Sequence, residues 1–409
     1  MRTARLQLVV LTIVTIVGIV VVATRDTDDG TSTTGVRAAE QSSTTDAKTT
    51  AAESSPATSS TTTTAVPTTS IRPTVGTQLT MIKRITGDIS PKSVVASGFG
   101  VTFAQNMIYS HTVTAYGPDG TLLATIPDSV DLAAFGITGY PAGTVQGGPV
   151  EVAFTADGTK AYVSNYEMYG PGFGNPGDDI CSPAAGHDNS FVYRIDTKTL
   201  AIDQVIEVGP VPKYVAVSPD GKWVLVSNWC GYDLSVIDAA AGKEVQRLPI
   251  GAYPRGIVVS PDSSVAYVAA MGGNTVRTVD LTTFAVGTLT GLNNPRHLVL
   301  SPVGDVLYAT LNASGAVAAV DVATGNVLAQ VHTGAAARSM AISADGLSLY
   351  VVNYDSSSMS KVATADLSIV QEVATDPNPI GVTYDPVTGV VWVACYGGSI
   401  ELFQDGASA

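Results

Sequence analysis

The chain has 409 residues, of which 14% are charged, with 40 glycines and 22 prolines. That charge fraction lies well below the roughly 25% of an ordinary soluble protein, and a Gly- and Pro-rich, Val-leaning remainder suits many short strands joined by tight turns. The formal net charge of -14 sets nucleic acid aside as a partner, because such a surface repels a like-charged polyphosphate.

The first element is an apolar run from Leu6 to Ala23. Arg2 and Arg5 precede it and Asp26, Asp28 and Asp29 follow, an asymmetry that keeps the N-terminus in the cytoplasm. The run is long for a signal-peptide core and just long enough to span a bilayer, while Val21-Val22-Ala23 would also serve as a cleavage site. Residues 1–24 therefore read as a signal peptide or an uncleaved signal anchor. Either one exports the remainder, leaving it tethered at the cell membrane or secreted. No Cys closes the run, which excludes a lipoprotein anchor.

Residues 25–77 are dominated by Thr, Ser and Ala, as in SSPATSSTTTTAVPTTS. Almost nothing there could build a core, so the segment reads as a disordered linker. A coil of this length spans roughly 40 Å, from about 5–6 Å times the square root of its length. It would lift a domain off a membrane, and its Thr and Ser beside Pro could carry O-linked sugar.

From residue 78 to 409 one short unit recurs. It opens as PKSVVASG at Pro91, PVEVAFTADG at Pro149, PKYVAVSPDG at Pro212, PRGIVVSPDS at Pro254, PRHLVLSPVG at Pro295, ARSMAISADG at Ala337 and PIGVTYDPVT at Pro379. From Pro212 onward the intervals are 42, 41, 42 and 42 residues, a period that marks a repeat architecture. In the third unit YVAVS, WVLVSN, LSVID and EVQRLPI are strands, separated by turn residues such as PDGK and AAGK. Four antiparallel strands per unit of about 40 residues make the blade of a β-propeller. The 3.6-residue periodicity of helical repeats is absent. The prediction is an all-β, seven-bladed β-propeller. The seventh unit stops after three strands, and Leu79–Ile85 would supply its fourth and close the open sheet edge.

The segments AYVSNY, LYVVNY, AYVAAM and WVLVSNW resemble the YVTN type of β-propeller repeat, from about Leu79 to Phe403. The resemblance implies a bacterial secreted or surface propeller. It assigns no chemistry, because members are diverse and many have no known activity.

Two places break the period. Asp128–Gly148 connects blade one to blade two, and Glu167–Asp188 lies between the second and third strands of blade two. Both loops reach the same face of a propeller, and long loops in a compact fold are functional or disordered. They predict a functional rim, a lid over the channel mouth. The insertion holds Asp178, Asp179, His187 and Asp188, with His111 nearby. Carboxylates on a Gly-rich backbone suit Ca²⁺, although no EF-hand spacing is present and no cofactor is otherwise expected. The two histidines could ligate a metal or act as base and acid.

A regular set is Lys92, Lys213, Arg255, Arg296 and Arg338, each following the leading residue of its blade, with Val150 and Ile380 in the other two. Five cations at one opening would attract an anion. Glu151 and His297 stand one position further along. Lactonase-like propellers use His, Glu and Arg in such a channel, a likeness of residue type alone. Asn106, Asn165, Asn228 and Asn353 end second strands and read as structural. Of three cysteines, Cys181 and Cys230 fall in neighbouring loops of one face and are predicted to pair in an oxidising compartment, with Cys395 buried. The leading expectation is a tethered extracytoplasmic module that binds a small anionic ligand or a cell-surface protein. The alternative is a lactonase-like hydrolase or isomerase acting on a small carboxylate in the channel.

Overall fold

The computed structural model describes residues 73–140, 142–165 and 180–406. Seven four-stranded antiparallel sheets form a closed ring. Apart from two short 3₁₀ turns, the described residues are strands and connections. The first strand of each blade is innermost. In ring order these are Pro91–Ala96, Pro149–Phe154, Pro212–Val217, Pro254–Val259, Pro295–Leu300, Ala337–Ile342 and Pro379–Asp385, and each touches the next around the channel.

Burial follows distance from that channel. Second strands such as Trp223–Asn228, Ser348–Asn353 and Val390–Cys395 are buried along their whole length, because each blade is covered on both faces by its neighbours. They therefore read as continuous apolar runs rather than alternating ones. Fourth strands such as Val327–His332 are mostly exposed. An apolar core fills each of the seven seams between blades. Leu225, Val236, Ile257 and Val268 fill the seam between blades three and four, and Val94, Tyr116, Trp392 and Leu402 that between blades seven and one.

The ring is closed as the sequence predicts. Leu79–Thr86 pairs antiparallel with Ser399–Asp405 and completes blade seven. The reading from sequence ran the linker to residue 77, but packing begins earlier. Thr74 is buried, and its hydroxyl is hydrogen-bonded with those of Ser343 and Ser348. The wholly buried Lys361 ammonium pairs with Asp405 at 2.6 Å. It also donates to the carbonyls of Thr74 and Thr77 at 2.8 and 3.0 Å. A buried ammonium needs every donor satisfied, and these carbonyls supply two of the acceptors. The signal or anchor segment, residues 1–24, and the linker up to residue 72 lie outside the described residues. Among the described residues no helix is long and apolar enough to cross a membrane.

Candidate functional site at the channel mouth

All seven inner strands carry the same irregularity. Their pairing with the second strand slips directly after the leading residue, as between Pro212 and Tyr214 or Pro295 and Leu298. Each inner strand thus starts with a β-bulge, which re-aims a side chain out of the ladder. The residue before the leading position is left-handed in five blades: Val211, Tyr253, Asn294, Ala336 and Asn378 have φ between 55° and 59°. A non-glycine residue seldom adopts that conformation. Here its carbonyl is fixed by the N–H of the residue after the second strand, in Trp229–Val211, Met271–Tyr253, Asn312–Asn294, Tyr354–Ala336 and Tyr396–Asn378.

The bulge positions are those of the five basic residues. Lys92, Arg255, Arg296 and Arg338 line one narrow compartment at the channel mouth with Glu151, Tyr214, His297, Ser339 and Ile380. Lys213 is buried and lies close enough to repel the Lys92 ammonium electrostatically. Aromatic faces hold several of these cations. Lys213 Nζ lies 4.3 Å from the Trp229 ring, Lys92 Nζ 5.2 Å from Tyr396, and the Arg338 guanidinium 3.7 Å from Tyr354, in the range of cation–π attraction. Tyr253 stacks on Trp229 at 4.6 Å. Burial, followed by Arg255, Arg296, Lys213 and Arg338, pushes the Lys92 pKa well below that of a free lysine.

One step further in, the residues after the bulge meet. His297 packs edge-on against Tyr214 at 5.4 Å, its Nδ1 is 3.5 Å from the Ser339 hydroxyl, and its backbone N–H donates to the Thr310 hydroxyl. Burial, then Arg255 and Arg296, push His297 down to about 3, so its ring is neutral at physiological pH. Burial pushes Glu151 up to about 7, against the opposing pull of Arg255, the Ser93 hydroxyl, the Val152 N–H and Lys92. Burial and the nearby Glu151 raise Tyr214 far above an ordinary phenol. The upper compartment has room for about 10 Å³, close to one water. A second cavity of about 160 Å³ shares Glu151, Tyr214, His297 and Ser339 and extends along the channel past Val94, Met340 and Val382.

The structure thus gathers Glu151, His297 and the basic residues around one channel. Sequence reading missed Tyr214 and Ser339. The signal was the register: both occupy the position of Glu151 and His297 in their own blades. His111 lies elsewhere. Its Nδ1 is 2.7 Å from the carbonyl of Gly147, where it supports the connection between blades one and two. His187 and the exposed Asp188 lie in the connection after the Pro183–Ala185 turn, not in the channel lining. Asp178 and Asp179 lie outside the described residues. Among the described residues no three His, Cys, Asp or Glu side chains gather to hold a metal.

The predicted disulfide is present. Cys181 and Cys230 are bonded with Cα atoms 5.3 Å apart, an ordinary span for such a bridge. It sits in an apolar cluster with Met107, Val150, Val211 and Trp229. The Tyr232 hydroxyl donates to the carbonyl of Cys181 at 3.0 Å. Cys395 is free and buried.

No family model matches the chain. Over 79 residues, 19% of its length, it is 33% identical to Antigen Lp49 of Leptospira interrogans, and the match spans 17% of that relative. A chain of hydrazine synthase from Kuenenia stuttgartiensis superposes with a TM-score of 0.61 at 18% identity, over 78% of this chain and 97% of that one. The second likeness is one of fold.

Proposed function

We propose that this protein is an exported propeller of the YVTN-repeat type, tethered by its N-terminal segment, that binds a small anionic ligand at its channel mouth. One observation supports the reading: a bulge recurs at the start of every inner strand, and four of the basic residues at that register, Lys92, Arg255, Arg296 and Arg338, line one compartment with Lys213 close by. Clustered cations between low-dielectric walls concentrate field and attract an anion. Aromatic plates hold Lys92, Lys213 and Arg338 in place before any ligand arrives, which lowers the ordering cost of binding. The Cys181–Cys230 bond supports a compartment outside the cytoplasm, and the partial likeness to a protein named as an antigen is in keeping with it. The test is calorimetric titration of the full-length chain with sulfate and with acetate. Saturable binding that disappears when Arg255, Arg296 and Arg338 become Gln supports the reading. Equal affinity in that variant sinks it.

A second reading rests on the four side chains beneath the cations. Glu151, Tyr214, His297 and Ser339 share one cavity, and a carboxyl group that titrates near 7 beside a neutral imidazole suits proton transfer. This supports a lactonase-like hydrolase or isomerase acting on a small carboxylate. Turnover of a lactone panel that is lost in Glu151→Gln, with acetate binding retained, would favour the enzyme over the binding module.

A further inference from the structure

We infer that anion binding at the channel mouth takes up one proton, and that Glu151 is the group that receives it. The inference rests on the anion-binding reading above and adds its control. Glu151 lines both the compartment of Lys92, Arg255, Arg296 and Arg338, which has room for about one water, and the adjoining cavity of about 160 Å³, which has room for an oxyanion. An oxyanion drawn in by the cations therefore comes to rest against this carboxyl. Two negative charges in so small and enclosed a space repel strongly. The surrounding cations offset part of that repulsion, and protonation of Glu151 removes the rest. A proton from solvent binds a carboxylate oxygen of Glu151, and the resulting O–H can donate to the anion. When the carboxyl ionises again, its donor becomes an acceptor and the anion is expelled.

The neighbours of Glu151 leave the proton no better destination. Blade one faces it with Lys92 and Ser93, blade three with Tyr214, blade four with Arg255 and blade five with His297. Arginine stays protonated throughout the range of interest. The Tyr214 phenol keeps its proton. His297 is held neutral near 3 by burial and two arginines, far below neutrality. Among the described residues only Lys92 competes, since burial and the surrounding cations lower its pKa. Glu151 itself titrates at about 7 in the free protein. A bound anion raises that value further, so uptake is small below pH 6 and approaches one proton near pH 8. Affinity is then flat in mild acid and falls by up to about tenfold per pH unit above 7.

Sulfate is the probe of choice, because it does not titrate between pH 5.5 and 8.5. Calorimetry of the full-length chain in two buffers of different ionisation enthalpy gives the protons taken up on binding. The expected result is near zero at pH 5.5 and close to one at pH 8. Glu151→Gln should abolish the uptake and bind sulfate at pH 8 about as tightly as the native protein does at pH 6. Lys92→Gln should keep the uptake. Sulfate binding without proton uptake in the native protein overturns the inference and leaves the anion-binding reading standing. So does uptake that persists in Glu151→Gln and vanishes in Lys92→Gln, which would make Lys92 the acceptor. No sulfate binding at any pH overturns the anion-binding reading, and this inference with it. The two-buffer measurement on the native chain needs no variant, so a poorly folding Glu151→Gln would not spare the idea.

Discussion

Single residues in this ring hold charge states that water would not give them, and stability records the cost. Glu151 has its folded pKa raised from 4.5 to about 7. Between those values the folded state holds a proton that the unfolded state has released, so stability contributed by this group falls as pH rises from 4.5 through 7. Glu151→Gln removes that loss. Its stability relative to the native chain should climb across this window and level off above pH 7, by about 3 kcal/mol at most at 1.36 kcal/mol per pKa unit. Urea melts at pH 4.5, 6 and 8 would show it, and a constant difference across them would contradict the assignment. His297 works in the opposite sense, since its pKa is lowered from 6.5 to about 3. Its protonation in the unfolded chain removes stability as pH falls below 6.5. A second residue-scale test is the disulfide between Cys181 and Cys230, 49 residues apart. Cys181→Ser with Cys230→Ser should cost about 4 kcal/mol in the chain-entropy model. Because Cys230 directly follows Trp229, whose ring carries Lys213, the loss should also change Trp fluorescence.

Among the elements, the N-terminal strand carries a load that its composition hides. Leu79–Thr86 pairs with Ser399–Asp405, and the residues just before it complete the shell around Lys361 through the carbonyls of Thr74 and Thr77 and the Thr77 hydroxyl. A chain starting at Gln78 should therefore be less stable than one starting at Pro73, by on the order of 2 kcal/mol for hydrogen bonds to a buried charge. A chain starting at Gly87 should lose cooperative unfolding, because blade seven is left with three strands and an open edge. Calorimetric melts of the three chains decide this, and equal melting temperatures for the first two would remove the clasp. The strands were legible in the sequence because each blade repeats four Val- and Ile-rich runs between turn residues. Gly221, for instance, ends the PDG turn at φ 72°, as Gly in such a turn requires. Strand closure was legible because the last blade ran short. The clasp was not, since Thr74 and Thr77 look like more of the Thr-rich linker and a Lys within SMSKVA looks like a solvated face. The bulges were equally hidden. One extra residue in a strand leaves no trace in composition, so register could set Lys92 and its counterparts at the channel mouth but could not show the bulge that turns them. Tyr214 and Ser339 look like ordinary strand residues until the bulge turns their blades inward.

For the molecule as a whole, charge has opposite signs at two ranges. The chain carries a net charge of -14, yet its channel mouth gathers Lys92, Arg255, Arg296 and Arg338, with Lys213 close by. On the proposed anion-binding reading, an approaching anion is repelled by the whole and attracted by the opening. Added salt screens charges further apart than about 8–10 Å near physiological strength, and partly buried charges much less. Moderate salt should therefore weaken the long-range repulsion before it weakens the local attraction. The association rate for sulfate should rise, or stay level, as inert chloride salt increases from 10 to 100 mM, whereas a simple basic surface patch would show a steep fall. Removing charge at two places separates the ranges. Changing Arg255, Arg296 and Arg338 to Gln should lower sulfate affinity at least a hundredfold. Changing the exposed Lys198, Lys222 and Lys243 to Gln alters the net charge by the same amount. It should leave the affinity within about threefold, shifting only the salt dependence. Stopped-flow association with both triple variants across that salt range gives the answer. If the two variants lose affinity equally, net charge governs binding and the ring of bulged cations has no special role.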